Sequence, residues 1–282
     1  MKKKRSVREL EVDAASAEPQ KTPKAPAPTE EVMAMLARRG LRPRPTVRDV
    51  PFPEKMTKEQ ADRLSEWLGH YAFRLFLRGA IQRSGGFLPW ETTRYLRRDQ
   101  CGNYAQTLVD LDLAGKMSDG RFRLKWVAAS FGGTLEWYVG RELARRLGFS
   151  VATGVKLHAH GVGGDLDVVA AAEGKLVYLE LKSSPPRNIS TGEIVAFFDR
   201  LNLLCPDLAL FVIDTALRLS DKVLPMIAHE FGRRGLSFKP KRIAAQLWAL
   251  TPHIYVVNGR RDLMTNIERA VAEGFRALSP RL

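Results

Sequence analysis

The stretch that most constrains this chain runs Gly163-Gly-Asp-Leu-Asp-Val-Val-Ala170, then Glu173-Gly174, then Lys175-Leu-Val-Tyr-Leu-Glu-Leu-Lys182. Two apolar runs joined by a Glu-Gly turn read as a β-hairpin. Side chains alternate along a strand, so Glu180 and Lys182 share one face while Leu179 and Leu181 share the other. On the partner strand Asp165 and Asp167 also share a face. Setting Asp167 near Glu180 concentrates two carboxylates beside one ammonium at the end of the hairpin.

The flanking pattern fixes the fold class. A helix at Gly132–Leu147 precedes strands near Val155–His160, Leu166–Ala171 and Lys175–Lys182. A helix at Thr191–Leu204, a strand at Leu208–Ile213 and a helix at Asp221–Arg233 follow. The strand His253–Val257 and the helix Asp262–Leu278 come last. Such alternation predicts an α/β layer structure with a central mixed sheet over residues 128–282.

Ahead of it the pattern is different. Residues 1–29 hold almost no large apolar side chains and read as a disordered tail. Residues 30–56 read as a linker, with a short helix at Glu31–Arg39 stopped by Gly40 and extended Pro-rich pieces after it. From Thr57 the residues Ala61, Leu64, Trp67, Leu68, Tyr71, Leu75 and Ala80 recur at helical spacing, predicting one buried face of one helix that ends at Ser84-Gly-Gly86. Pro89 opens a second helix to about Leu96, and Asp99 caps a third that ends near Gly115. Lys116 to Lys125 then form two short strands around Asp119-Gly120. This order over 57–127 is similar to a winged helix. In such a module Asn103, Gln106 and Thr107 would face outward to base edges, and Arg121, Arg123 and Lys125 would meet phosphates. A protein-docking role is the other reading, since Asp110 and Asp112 repel a polyanion.

Charge bears on the partner. The formal net charge is +14, with an excess of 5 basic residues in 1–55, 4 in 56–127 and 5 in 128–282. Dispersed Lys and Arg can follow a phosphate backbone, so a nucleic acid, most naturally DNA, is the expected partner. No apolar run reaches the 18 residues of a membrane span. Cys101 and Cys205 lie too far apart in sequence for a zinc ribbon, and reduced thiols in a cytoplasmic protein are expected. The Met-Lys-Lys-Lys-Arg start lacks the apolar region of a secretory signal.

The hairpin carboxylates suit a hard divalent cation. Magnesium takes oxygen ligands and keeps several waters, and Asp167, Glu180 and the Leu181 carbonyl supply a half-shell. Lys182 can orient an attacking water or neutralise charge developing on phosphorus.

Asp167, then twelve intervening residues, then Glu180-Leu-Lys182 resembles the PD-(D/E)XK nuclease superfamily, the restriction-endonuclease-like proteins. Gly-Gly-Asp-Leu-Asp-Val-Val resembles its Gly-x-x-hydrophobic-Asp-Val stretch. Gly133-Thr-Leu-Glu-Trp-Tyr-Val139 looks like its first helix, and is similar also to CRISPR-associated ancillary nucleases. The literal Pro is absent, Leu166 standing before the Asp. The resemblance implies a restriction-endonuclease-like mixed sheet and magnesium- or manganese-dependent hydrolysis of nucleic-acid phosphodiesters. It also implies Glu136 as an added carboxylate of the site. A symmetric dimer is expected for double-strand cleavage. A nuclease of RNA or single strands in a defence system, and an inactive DNA-binding regulator, are the alternatives.

Blander readings stand beside these. Glu136 also fits an ordinary amphipathic helix. Asp165 reads as a surface carboxylate, Ser190-Thr-Gly-Glu193 as a capping box, and His158 and His160 as structural. Arg187 and Arg200 fit phosphate contacts and surface charges equally well.

Overall fold

The computed structural model describes residues 28–46, 49–53, 55–157 and 164–278. Helix α1 (Pro28–Arg38) leads into β1 (Pro43–Pro45), and α2 (Lys58–Gly69) and α3 (Tyr71–Ile81) follow. After a single 3-10 turn at Pro89–Glu91 come α4 (Arg98–Asp110), β2 (Ala114–Lys116) and β3 (Phe122–Leu124). The α/β part comprises α5 (Gly132–Leu147), β4 (Ser150–Leu157), β5 (Asp165–Ala172), β6 (Lys175–Lys182), α6 (Thr191–Leu204) and β7 (Leu208–Ile213). It continues with α7 (Val223–Arg233), β8 (Lys241–Ala244), β9 (Leu247–Thr251), β10 (Ile254–Asn258) and α8 (Leu263–Leu278).

Eight strands form one mixed sheet in the order β1-β4-β5-β6-β7-β10-β9-β8. The β4, β5 and β6 neighbours run antiparallel, while β6, β7 and β10 are parallel, which requires the crossovers through α6 and α7. Central strands buried on both faces are apolar nearly throughout, as β7 (Leu-Ala-Leu-Phe-Val-Ile) is. One apolar layer gathers Val168, Leu179, Leu210 and Val257 under α2, α3, α5 and α8. The other gathers Val169, Tyr178, Phe211 and Val256 under α1, α6 and α7. This mixed sheet flanked by helices is compatible with a restriction-endonuclease-like fold.

Several local expectations change. The helix expected from Thr57 to Arg83 is two helices, broken at His70, whose extended backbone (φ −84°, ψ 118°) ends α2 and starts α3. The break shifts the helical register, so Tyr71 and Leu75 are half-buried rather than part of the core face, which Phe73, Phe76, Leu77 and Ala80 supply. The helix expected from Pro89 to Leu96 is one 3-10 turn. Pro28 and Thr29, assigned to the tail, lie in α1; residues 1–27 are outside the described residues. The expected linker contributes β1, paired with β4. Strand β4, expected at Val155–His160, starts at Ser150, and its expected end with His158 and His160 lies outside the described residues. Neither β8 nor β9 was expected. Buried residues of α2, α3 and α4 are continuous with those of β5 through β7 in one apolar cluster.

No helix among the described residues is long and apolar enough to cross a membrane. Cys101 is buried and Cys205 exposed, both as free thiols.

Candidate active site

The site is built at the ends of β5 and β6. Val168 pairs with Leu179, the last regular pair of the two strands toward the Lys182 end of β6. Beyond it Asp167 replaces the ladder: its Oδ2 accepts the Leu181 amide at 2.6 Å. The strand on the other side of β5 bends here as well. Gly154 of β4 has φ +59°, and a Cβ there would stand 2.7 Å from Thr46 Oγ1 and 3.6 Å from Glu136 Oε2. Thr46 Oγ1 donates to the Gly154 carbonyl, holding the bend closed. Glycine tolerates that backbone and leaves the space through which α5 brings Glu136 toward Asp167.

Glu180 is 2% exposed, and its two oxygens are fully engaged. Oε1 meets Lys182 Nζ at 2.9 Å, and Oε2 accepts from Arg200 Nη1 at 2.7 Å and from the Tyr178 hydroxyl. Tyr178, Glu180 and Lys182 alternate onto one face of β6, and α6 lays Arg200 across that face. Gly164, with φ +89°, gives Arg200 its room, since a Cβ there would lie 2.5 Å from Arg200 Nη2. Lys182 also reaches Glu193 Oε1 at 3.3 Å. Glu193 completes the expected capping box with Ser190 and takes part in this network too.

Electrostatic crowding falls on Asp167. Withdrawal from water, then the Glu180 and Glu136 carboxylates, hold Asp167 well above the usual carboxylate range, against the Leu181 amide and the Lys182 ammonium. Burial disfavours the Lys182 ammonium, but Glu180 and then Asp167 outweigh it, and its pKa is raised. Burial and the Glu180 charge push the Tyr178 phenol up, so it donates as a neutral hydroxyl.

Glu136 is thus within electrostatic reach of Asp167. Among the described residues, however, no three Asp, Glu, His or Cys side chains converge closely enough to hold a metal ion together. The Asp167 carboxylate feels the Glu180 charge most and the Glu136 charge next. The Leu181 amide turns toward β5, and on an alternating strand its carbonyl turns the same way, while the Lys182 carbonyl accepts the Asp214 amide on the β7 side at 2.8 Å. Asp165 stands apart, 4.0 Å from Lys156 across the strand pair.

The other candidate residues lie elsewhere. Asn103 and Gln106 are exposed on α4, Gln106 donating to Asp110 at 2.9 Å. Thr107 does not face outward: it is buried, and its hydroxyl donates to the Asn103 carbonyl at 3.0 Å. Its position beside Leu108 turns it to the core side of α4. Arg121, Arg123 and Lys125 are exposed along β3, but Asp119 and Asp112 partly neutralise Arg121 and Lys125. Arg123 donates to the Gly85 carbonyl at 3.3 Å. Tyr178, Thr46 and Gly154 carried no signal in the sequence beyond strand and linker composition. Arg187 is exposed, whereas Arg200 is not a surface charge.

No protein-family model and no curated protein sequence matches the chain. Solved structures do. Protein VC1899 from Vibrio cholerae superposes with a TM-score of 0.54 at 14% identity, over 86% of this chain and 62% of that one. Can2 from Sulfobacillus thermosulfidooxidans, solved in complex with cyclic tetra-adenylate, gives 0.47 at 18% identity, over 86% and 59%. The likeness to VC1899 is one of fold. This chain spans about three-fifths of the length of either structure.

Proposed function

We propose that this chain is a metal-dependent nuclease that hydrolyses phosphodiester bonds, with DNA as its polymer and Asp167, Glu180 and Lys182 as its working residues. The observation that carries the reading is the crowding at Asp167. Burial and the Glu180 and Glu136 carboxylates oppose its negative charge and raise its pKa, a cost that a hard divalent cation would remove. The donor chemistry fits magnesium or manganese: Asp167 and Glu180 would hold the ion with the Leu181 carbonyl, and Glu136 would act from outside that set. When bound, such an ion polarises a phosphoryl oxygen and acidifies water.

The chain's own groups would then divide the labour. Lys182 Nζ, charged and tethered by Glu180, orients the attacking water or offsets charge gathering on phosphorus. Arg200 fixes the Glu180 carboxylate from the opposite oxygen and keeps its plane from turning. The net charge of +14 draws the polyanion to the surface.

The test is a panel of plasmid, single-stranded DNA and RNA with magnesium, manganese or EDTA, run on the wild type, Lys182→Ala and Asp167→Asn. Metal-dependent cleavage by the wild type, lost in both variants while binding persists, is expected. Cleavage retained in both variants would sink the mechanism; loss of RNA alone would move the substrate to RNA. Binding without cleavage would leave a DNA-binding regulator. Gel filtration reads whether a dimer is present for paired cuts.

A further inference from the structure

A second cleft, of about 420 Å³, opens at the same end of the sheet and plays no part in the chemistry above. It lies between α3 and the segments that follow β6 and β7, lined by Tyr71, Leu75, Arg78, Tyr95, Pro185 and Leu217. Tyr71, Leu75 and Arg78 fall on one stripe of α3, at steps of four and three residues, on the side turned from the apolar core. An outward stripe of that kind would ordinarily be polar. Tyr95 is 65% exposed and Leu217 57%, two of the few large apolar side chains left in solvent among the described residues.

The cleft is apolar in its walls and cationic around them. Arg94 lies 5.1 Å over the Tyr95 ring, and its Nη2 donates to the phenol oxygen at 3.1 Å. That hydrogen bond and charge, with Arg187 more weakly, pull the Tyr95 phenol below its ordinary value, which marks the mouth as electropositive. Arg78 gives Nη2 to Asp214 at 3.0 Å, while its Nε is buried without a hydrogen-bond partner among the described residues. Pro185 stands three residues beyond Lys182, and the Asp214 amide is bonded to the Lys182 carbonyl, so cleft and candidate site share one rim.

We infer that this cleft receives one unstacked nucleobase from a single-stranded stretch of the nucleic acid engaged at Lys182. A planar aromatic ring joined to phosphates matches aromatic and aliphatic walls with arginines beside them. The volume lies in the range of small-molecule pockets and suits a single nucleoside. Duplex DNA presents no free base and gains nothing from the cleft. The inference rests on the nuclease reading only for the identity of the polymer.

The experiment is therefore one of binding, in EDTA, where cleavage does not enter. Fluorescence anisotropy would compare a labelled single-stranded 12-mer with a duplex of the same sequence, on the wild type, Tyr95→Ala, Leu217→Ser and Tyr95→Phe. Both altered positions are exposed, and circular dichroism checks that each variant folds. Tyr95→Ala and Leu217→Ser are expected to weaken single-strand binding about tenfold, with Tyr95→Phe and all duplex affinities nearly unchanged. A 2-aminopurine in the strand should change its emission with the wild type and not with Tyr95→Ala. Equal losses on duplex and single strand, or no loss on either, would overturn the assignment. So would adenosine monophosphate binding as tightly as the 12-mer, since the cleft would then serve a free nucleotide. A chain that cuts nothing but behaves as expected here would refute the nuclease reading alone.

Discussion

Asp214 accepts from Arg74 Nη2 at 2.8 Å and from Nε at 3.1 Å, with both side chains 1% exposed or less. Arg74 spends its remaining nitrogen on the carbonyls of Leu68 and Gly69, at the end of α2. One buried ion pair therefore joins α2, α3 and the end of β7. Desolvation opposes the Arg74 charge, but Asp214 outweighs it and the guanidinium pKa is raised.

Removing Arg74 leaves the buried Asp214 with Arg78, 3.0 Å away, as its counter-ion. Arg74→Ala is expected to cost about 3 kcal/mol, the low end for a broken buried pair, and to lower Tm by about 10 °C, measured by calorimetry. Arg97→Ala, which breaks an exposed pair with Asp99, should cost less than about 1 kcal/mol. Equal effects would contradict the weight given to burial.

Arg200 is a positioning residue in the proposed site. Arg200→Ala should lower cleavage about 10- to 100-fold and raise the magnesium concentration for half-maximal rate, with Arg200→Lys recovering part of both. A fall in rate with unchanged metal dependence would place its role elsewhere, in folding or in contact with the polymer.

Glu142 gives a pH test remote from that site. Its carboxylate is 2% exposed, and burial opposes its charge. Arg145, Ser65 and Arg146 outweigh that and bring its pKa down to about 2. A folded value below the unfolded one means the network stabilises above about pH 4.5 and ceases to do so as pH falls toward 2. With one arginine largely in solvent, about 1–2 kcal/mol is expected at neutral pH. Denaturant midpoints of wild type and Glu142→Gln should differ at pH 7 and converge on acidification. A constant gap down to pH 3 would assign the effect to packing.

Gly154→Ala combines a positive φ with an overlap on Thr46 Oγ1, whereas Gly148→Ala, at φ +68°, meets open space. Both should lose about 1–2 kcal/mol from backbone strain. Only Gly154→Ala should also reduce cleavage, through displacement of β4 from Asp167 and Glu136. Equal activity of the two variants would remove Gly154 from the site.

The parts readable in advance are those with local periodicity. Helices α5, α6 and α8 and strands β5 to β7 follow from apolar spacing, and so does the shared face of Glu180 and Lys182. What escaped depends on contacts distant in sequence. Pro43–Pro45 is a strand only because β4 offers it an edge, while β8 begins with two cations and β8 and β9 carry irregular pairing. The helix breaks at His70 directly after Gly69, a glycine that the apolar spacing runs straight through. Arg200 acquires its role only when α6 crosses β6, which no spacing along α6 records. The half-burial of Tyr71 and Leu75 likewise needed the break at His70 to be known.

The two ends of the sheet bear on how such a cationic chain behaves when crowded. At one end β1 reads Pro-Arg-Pro, and its prolines have no amide to offer a further strand. At the other, β8 is four residues long and presents the exposed cations Lys241 and Arg242. Neighbouring molecules brought close together thus meet edges that refuse strand-to-strand growth, and local concentration can rise without seeding fibrillar aggregates.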